Sequence, residues 1–322
     1  MTVRLSPDSL KWDSARMTPE SKGEWGNYRF IVGAEECDWW VVYEKLEKKE
    51  KAVVPKGNIV LITGEPPSIK NYEPRFLRQF SLIITCHRDI KHADVLHRQQ
   101  ALAPRVGVRF RGIENLGFSK DYDEFKAMTL ASFRKEKTIS VISSNLTTTE
   151  GHRKRLEFVK ALQAHFGNRI DVFGRGLKEI EDKWDAIAPY KYHVTLENSS
   201  YPDYWTEKLS DTYLGGAYPF YYGCPNLENY FPKGSFGRID LDSVEESIAT
   251  IEKAIEAETY EKAVGDIMAA RDLVLDKYNL FPMLADTCEK RGAGGQRRKV
   301  VIRPEASFGN FRRWLGRMLG RG

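Results

Sequence analysis

Two series of short apolar, β-branched runs, each broken by charged or amphipathic stretches, constrain this chain more than any other feature. The first series runs through residues 28–32, 38–43, 58–63, 81–85 and 106–110; the second runs through 138–143, 169–173, 193–196 and 219–222. Between the runs lie segments such as 152–166, which set Phe158, Val159, Leu162 and Phe166 along one helical face. Strands alternating with helices in this way predict parallel sheets with crossover helices, an α/β chain. A length of 322 residues suits two such domains. We expect them at 1–118 and 119–288, with a basic linker and tail at 289–322. Residues 1–27 are polar and without a period, 244–278 reads as proline-free helix, and 289–304 reads as linker around Gly292, Gly294 and Gly295.

Charge narrows the partners. The last 32 residues carry nine cations, Arg291 to Arg321, against the single carboxylate of Glu305, an excess larger than the +5 of the whole chain. Charge confined to one end disfavours a nucleic-acid-binding protein. Phe308, Phe311, Trp314, Leu315, Met318 and Leu319 recur at helical spacing among Arg312, Arg313, Arg317 and Arg321. A basic amphipathic helix of that kind suits an anionic membrane surface, with packing on the protein body as the other reading. No apolar run approaches the roughly 18–20 residues that span a bilayer, and the start lacks the regions of a signal peptide. Cys37, Cys86, Cys224 and Cys288 are scattered without metal-ligand or disulfide-framework spacing.

The richest chemistry lies in Glu197-Asn198-Ser199 and the following Asp203-Tyr204-Trp205-Thr206-Glu207-Lys208. A strand ends there and a helix begins, so Glu207 and Lys208 fall in a first turn whose free N–H groups and positive dipole end attract an anion. A second such place follows Ser143-Ser144-Asn145, where His152, Arg153, Lys154 and Arg155 open a helix. Cations at a helix start oppose the dipole, which an anion bound there would explain. In the first half, the strand over 58–63 ends in Gly64-Glu65-Pro66-Pro67, which sets a carboxylate at a strand's crevice end before a rigid turn. Asp240-Leu241-Asp242 has the form of a metal-binding DxD, but it precedes a helix for which Asp242 or Ser243 is the expected N-cap.

The string Tyr190-Lys191-Tyr192-His193-Val194-Thr195-Leu196-Glu197-Asn198-Ser199, then Asp203 to Leu209, closely resembles the donor-binding signature of glycosyltransferase family 10, the α-1,3/4-fucosyltransferases. The resemblance continues through Gly216-Ala217-Tyr218-Pro219-Phe220-Tyr221-Tyr222-Gly223 to Phe231-Pro232-Lys233-Gly234-Ser235-Phe236. It implies a GT-B arrangement, two Rossmann-like domains facing a cleft, and inverting transfer of L-fucose from GDP-fucose to a hydroxyl of a GlcNAc-containing glycan. On that resemblance Glu65 is the general base. Ser144, Asn145, Arg155, His193, Asn198, Tyr204, Glu207 and Lys208 form the donor site, with Arg153 as the alternative to Arg155. No cofactor or essential divalent metal is expected. Animal members of the family carry a membrane anchor, so its absence here implies a bacterial type in the cytoplasm, or peripheral on the inner face of the membrane.

Overall fold

The computed structural model describes residues 1–7, 14–112, 114–143, 150–174, 176–292 and 294–308. Ser144, Asn145 and the tail after Phe308 lie outside the described residues. The chain forms two compact units, one from 1–15, 22–100 and 281 onward, the other from 16–21 and 101–280. The sequence places its divisions at 118/119 and 288/289 instead.

The first unit is built on β1 (Thr2–Pro7), β2 (Glu24–Trp25), β3 (Tyr28–Val32), β4 (Trp39–Tyr43), β6 (Ile59–Ile62), β7 (Leu82–Thr85) and β8 (Val95–His97), in the order β2-β3-β1-β4-β6-β7-β8. All neighbours are parallel except β2 and β3. β4, β6 and β7 are apolar up to a terminal Tyr43 and Thr85 and are buried on both faces along nearly their whole length, as suits central strands of a parallel sheet. Trp39 and Trp40 point to opposite faces, and both are core.

The polar reading of 1–27 is corrected by β1, which sits between β3 and β4. Its alternation of Val3 and Leu5 with Arg4 and Ser6 imitates a half-exposed strand, yet all four are buried. Arg4 donates to Ala34 O and pairs with Glu50, Ser6 Oγ donates to Glu50 at 2.6 Å, and Trp40 Nε1 donates to Ser6 Oγ at 2.9 Å. Buried polar groups persist only where such partners are provided.

The second unit has a five-stranded parallel sheet in the order β12-β11-β13-β14-β15: β11 is Lys137–Ile142, β12 Ile170–Phe173, β13 Tyr190–Leu196, β14 Tyr218–Tyr222 and β15 Gly237–Arg238. The run at 106–110, read with the first series, belongs here instead. It becomes β9 (Val108–Arg111), paired antiparallel with β10 (Glu114–Phe118). Its outward arginines suit a two-stranded ribbon rather than a sheet centre.

The helices are α1 (Pro74–Leu77), α2 (Tyr122–Ala127), α3 (Glu150–Phe166), α4 (Trp184–Ile187), α5 (Glu207–Leu214), α6 (Val244–Glu256), α7 (Thr259–Leu273) and α8 (Leu280–Arg291). On α3 the buried face is Phe158, Val159, Leu162 and Phe166, as the periodicity predicts. Each such side chain contributes roughly 1.5–3 kcal/mol on burial, which outweighs the cost of a cation-rich first turn. The supposed linker is a strand, β16 (Arg297–Ile302), antiparallel to β5 (Glu50–Pro55) in the first unit. Only Val300 and Ile302 pack inward on its core, so the strand's outward Arg297 and Lys299 hid it in a basic stretch.

Candidate active site

In an open parallel sheet a ligand crevice opens where the strand order reverses, beyond the carboxyl ends of the strands. In the second unit that place lies between β11 and β13, because β12 is added on one side of β11 and β13 on the other. β13 delivers Glu197 and Asn198 to it, and the chain after β11 returns as α3. The strand order thus brings the two cationic places picked out in the sequence to one end of one sheet.

Glu197 is the hub. It is fully buried and accepts the Thr206 amide at Oε1 and the Thr206 hydroxyl at Oε2, both at 2.7 Å. Thr206 is the N-cap of α5, its Oγ1 accepting the Lys208 amide at 3.3 Å. The carboxylate therefore fixes the cap, and the cap fixes the helix end. The ammonium of Lys208 lies 3.5 Å from Glu197 Oε2, 3.5 Å from Glu207 Oε1 and 3.1 Å from Thr206 Oγ1. Burial pushes the Glu197 carboxyl up, against the pull of Lys208. Burial would lower Lys208, but Glu207 and Glu197 outweigh it and raise its pKa. For Glu207 burial is likewise outweighed, here by Lys208, Lys183 and Arg105, and its carboxyl is held well below the usual range. Lys208 keeps 26% of its side chain exposed, so a ligand can reach the charge. Gly223 walls the other side of Glu197: a Cβ there would come within 2.5 Å of Glu197 Cγ and 2.4 Å of the Tyr221 hydroxyl.

Arg155 reaches this group from the second turn of α3. Its pKa is lowered by burial and held up by Glu197 and Tyr204, and the imidazole of His152 is depressed by burial and by the charges of Arg155 and Lys208. Arg155, His152, Tyr204, Glu197, Glu207 and Lys208 are thus brought together. Asn198 is half-buried beside them and makes no hydrogen bond among the described residues. The first amides of α5 are already taken, Lys208 N by Thr206 Oγ1 and Leu209 N by the Thr206 carbonyl, so what can receive a diphosphate and a neighbouring sugar is the pair of cations, Arg155 and Lys208, at the positive dipole end of α5 with Asn198 beside them.

Lys154, another cation of that helix start, is engaged elsewhere, 2.6 Å from Asp242. Ser243 occupies the N-cap position of α6 but makes no side-chain cap bond, and Asp240 Oδ1 accepts the Asp242 amide at 3.0 Å. Among the described residues no cluster of three or more His, Cys, Asp or Glu is arranged to hold a metal.

His193 does not join the cluster. It is buried in β13, and its Nδ1 lies 2.8 Å from Ser140 Oγ, whose proton goes to Ala186 O at 2.6 Å. Burial, with the charges of Lys183 and Lys135, pushes its pKa down to about 3. The folded pKa is below the unfolded value of about 6.5, so acid protonates the unfolded chain first and stability falls through that window by up to about 1.4 kcal/mol per pH unit. His193→Gln is expected to flatten the loss of stability between about pH 6 and pH 4 in denaturant titrations. An unchanged slope would mean that the imidazole is not buried as described.

Arg105 escaped the sequence reading. Its amide and that of Val106 donate to Asp211 Oδ1 at 2.7 and 2.9 Å, and Lys183 Nζ lies 2.6 Å from Asp211 Oδ2. Asp211 sits one turn beyond Glu207 on α5 and ties the 105–106 segment to that helix. The charge of Arg105 consequently acts on both Glu207 and Lys208. Its partner is 106 residues away in sequence, and no local pattern marks it.

In the first unit Glu65 follows β6 in a bend and is half-buried. The Gly64 amide donates to Glu44 and the Glu65 carbonyl accepts from His87 at 2.8 Å.

Residues 132–261 match the family model for glycosyltransferase family 10 (fucosyltransferase), C-terminal region. The chain is 34% identical over 91 residues to 4-galactosyl-N-acetylglucosaminide 3-alpha-L-fucosyltransferase FUT6 of Homo sapiens, covering 27% of this chain and 25% of that protein. It is 33% identical over 102 residues to alpha-(1,3)-fucosyltransferase 4 of Mus musculus, covering 28% and 22%. The match thus spans about a quarter of the length of these curated relatives. A crystal structure of alpha1,3-fucosyltransferase aligns with a TM-score of 0.52 at 16% identity over 87% of this chain and 91% of that one, and its complex with GDP with a TM-score of 0.51 at 15% identity over 87% and 92%. At this identity the likeness shows the fold: two α/β units, as in GT-B glycosyltransferases. Homology to α-1,3/4-fucosyltransferases is carried by the segment that holds Arg155, Asn198, Tyr204, Glu207 and Lys208.

Proposed function

We propose that this protein is an inverting fucosyltransferase of bacterial type that moves L-fucose from GDP-fucose to a hydroxyl of a GlcNAc-containing glycan. The observation that carries the proposal is the convergence of Arg155, Lys208 and the α5 N-terminus at the switch point of the second sheet, inside the segment homologous to fucosyltransferases. Arg155 and Lys208 receive the diphosphate of the donor. Ser144 and Asn145 belong to the same proposal, and Asn198, Tyr204 and Glu207 orient the sugar and ribose hydroxyls.

Glu65 takes the proton of the acceptor hydroxyl as that oxygen attacks C1 of the β-linked fucose. The bond from C1 to the phosphate oxygen breaks, GDP leaves with its new charge opposed by Arg155 and Lys208, and the product is α-linked. The cationic side chains and helix end supply the positive charge that a chelated metal supplies in other transferases, so we propose that no divalent cation is essential.

A panel of GDP-fucose, GDP-mannose and UDP-sugars, each assayed for binding, hydrolysis and transfer with and without EDTA, tests this. Transfer from GDP-fucose that survives EDTA is expected. Preference for another donor would reassign the substrate, binding without turnover would make the chain a nucleotide-sugar receptor, and metal-reversible loss would return Asp240 and Asp242 to consideration.

The tail belongs to the same proposal as the contact with an anionic inner membrane surface, on the strength of the arginines alternating with Phe311, Trp314, Leu315 and Met318. No helix among the described residues is long and apolar enough to cross a membrane. Removing the residues after Phe308 is expected to abolish sedimentation with anionic vesicles while transfer to a soluble acceptor stays within about twofold. Equal sedimentation of both forms would make the tail a part of the protein body.

A further inference from the structure

The bend that carries Glu65 is gripped by two buried side chains that the reaction itself does not use. Glu44 closes β4 in the left-handed region, at φ +64, a backbone conformation that a non-glycine residue holds only when its surroundings fix it. Its Oε2 accepts the Gly64 amide and the Tyr72 hydroxyl, the latter at 2.6 Å, and its Oε1 accepts Lys70 Nζ at 2.7 Å. Lys70 lies in turn 3.3 Å from Glu305 Oε2 and over the Tyr72 ring.

From the far side comes His87, which is 1% exposed. Its amide donates to Thr85 Oγ1 at 3.0 Å, Thr85 Oγ1 accepts from Thr63 Oγ1 at 2.7 Å, and its Nε2 lies 2.8 Å from the Glu65 carbonyl oxygen. A carbonyl only accepts, so Nε2 carries the proton. Burial lowers the pKa of the ring, and a neutral imidazole protonated at Nε2 satisfies this contact. The Tyr72 and His87 rings meet edge to face at 5.3 Å, so the two grips also brace one another.

We propose that His87 and Glu44 are positioning residues that hold the Glu65 backbone from opposite sides and so set where its carboxylate stands, an inference that rests on the reading of Glu65 as the base. Glu44 holds the amide of residue 64 and His87 the carbonyl of residue 65, which leaves the intervening backbone little freedom to rotate. Gly64 is held close enough that a Cβ there would stand 3.0 Å from Glu44 Oε2. A general base works only within hydrogen-bond reach of its proton, and a displacement of about 1 Å can cost about a hundredfold in rate.

The experiment compares His87→Phe, His87→Gln, Glu65→Gln and the double variant His87→Phe/Glu65→Gln in the full chain. Each is measured for single-turnover transfer and for GDP affinity, with GDP titration counting the folded sites. His87→Phe keeps the ring against Tyr72 and removes the donor; transfer per folded site is expected to fall about tenfold or more, with GDP affinity unchanged. Glutamine, whose amide can replace Nε2–H, is expected to restore most of the rate. In the Glu65→Gln background His87→Phe should cost nothing further, since there is no base left to place. Wild-type transfer by His87→Phe beside a crippled Glu65→Gln would overturn the grip alone. So would equal losses in GDP affinity and rate, or additive losses in the double variant. An active Glu65→Gln would instead remove the base assignment from which the inference starts.

Discussion

Glu65→Gln is expected to lower transfer by about a hundredfold or more while GDP-fucose affinity stays within a few fold, because an amide keeps the shape of the side chain and loses the basic oxygen. Donor affinity is expected to survive because the cationic cluster that would hold the diphosphate is built wholly from residues of the second unit, whereas Glu65 belongs to the first. Paired donor-binding and single-turnover measurements decide the matter. Near wild-type transfer would remove Glu65 from the mechanism, and loss of donor binding would make it a structural residue of the turn.

Lys208→Ala is expected to impair both quantities. Removing one charge-assisted contact to a diphosphate should weaken GDP by about 1.5–3 kcal/mol, roughly ten- to a hundredfold. The same change strips Glu197 and Glu207 of the ammonium between them, so the variant should also unfold more easily, and calorimetric affinity must be read against its thermal transition. Arg155→Ala separates the two effects, since no ion pair of the described residues depends on Arg155 while the predicted loss of GDP affinity is of the same size. Unchanged GDP affinity in Arg155→Ala and Lys208→Ala would dissolve the proposed phosphate site.

The second unit was the more legible half. Its strands are runs of Ile, Val, Phe and Tyr, and its longest crossover helix shows one apolar face, so periodicity alone located β11 to β14 and α3. The position of Glu207 and Lys208 in a first helical turn was also readable, because the helix start is local chemistry. What stayed hidden depends on partners distant in the chain. β1 was missed because Arg4 and Ser6 are buried by Glu50 and Trp40, and β16 because its apolar face amounts to Val300 and Ile302. Arg105 and Asp211 are linked by backbone amides that no spacing rule anticipates. Glu197 was visible as a residue but not as a hub: that it is fully buried and braces the α5 cap follows only from the strand–helix geometry.

The return of the chain to its first unit has a consequence for the order of assembly. The second unit is drawn, apart from 16–21, from one continuous stretch that ends at Leu280, whereas the first needs β16, whose Ile302 fills its core beside Leu61 and Ile83. During synthesis the nucleotide-side unit is therefore complete first. The opening hundred residues must wait, with the open flank of β5 unpaired, until residues 281–302 have emerged. Domains commonly mature from the N-terminus as they are made; here the unit with the earlier residues is the one that finishes last. A nascent chain halted near residue 280 should accordingly protect 101–280 from protease while 22–100 is still cut.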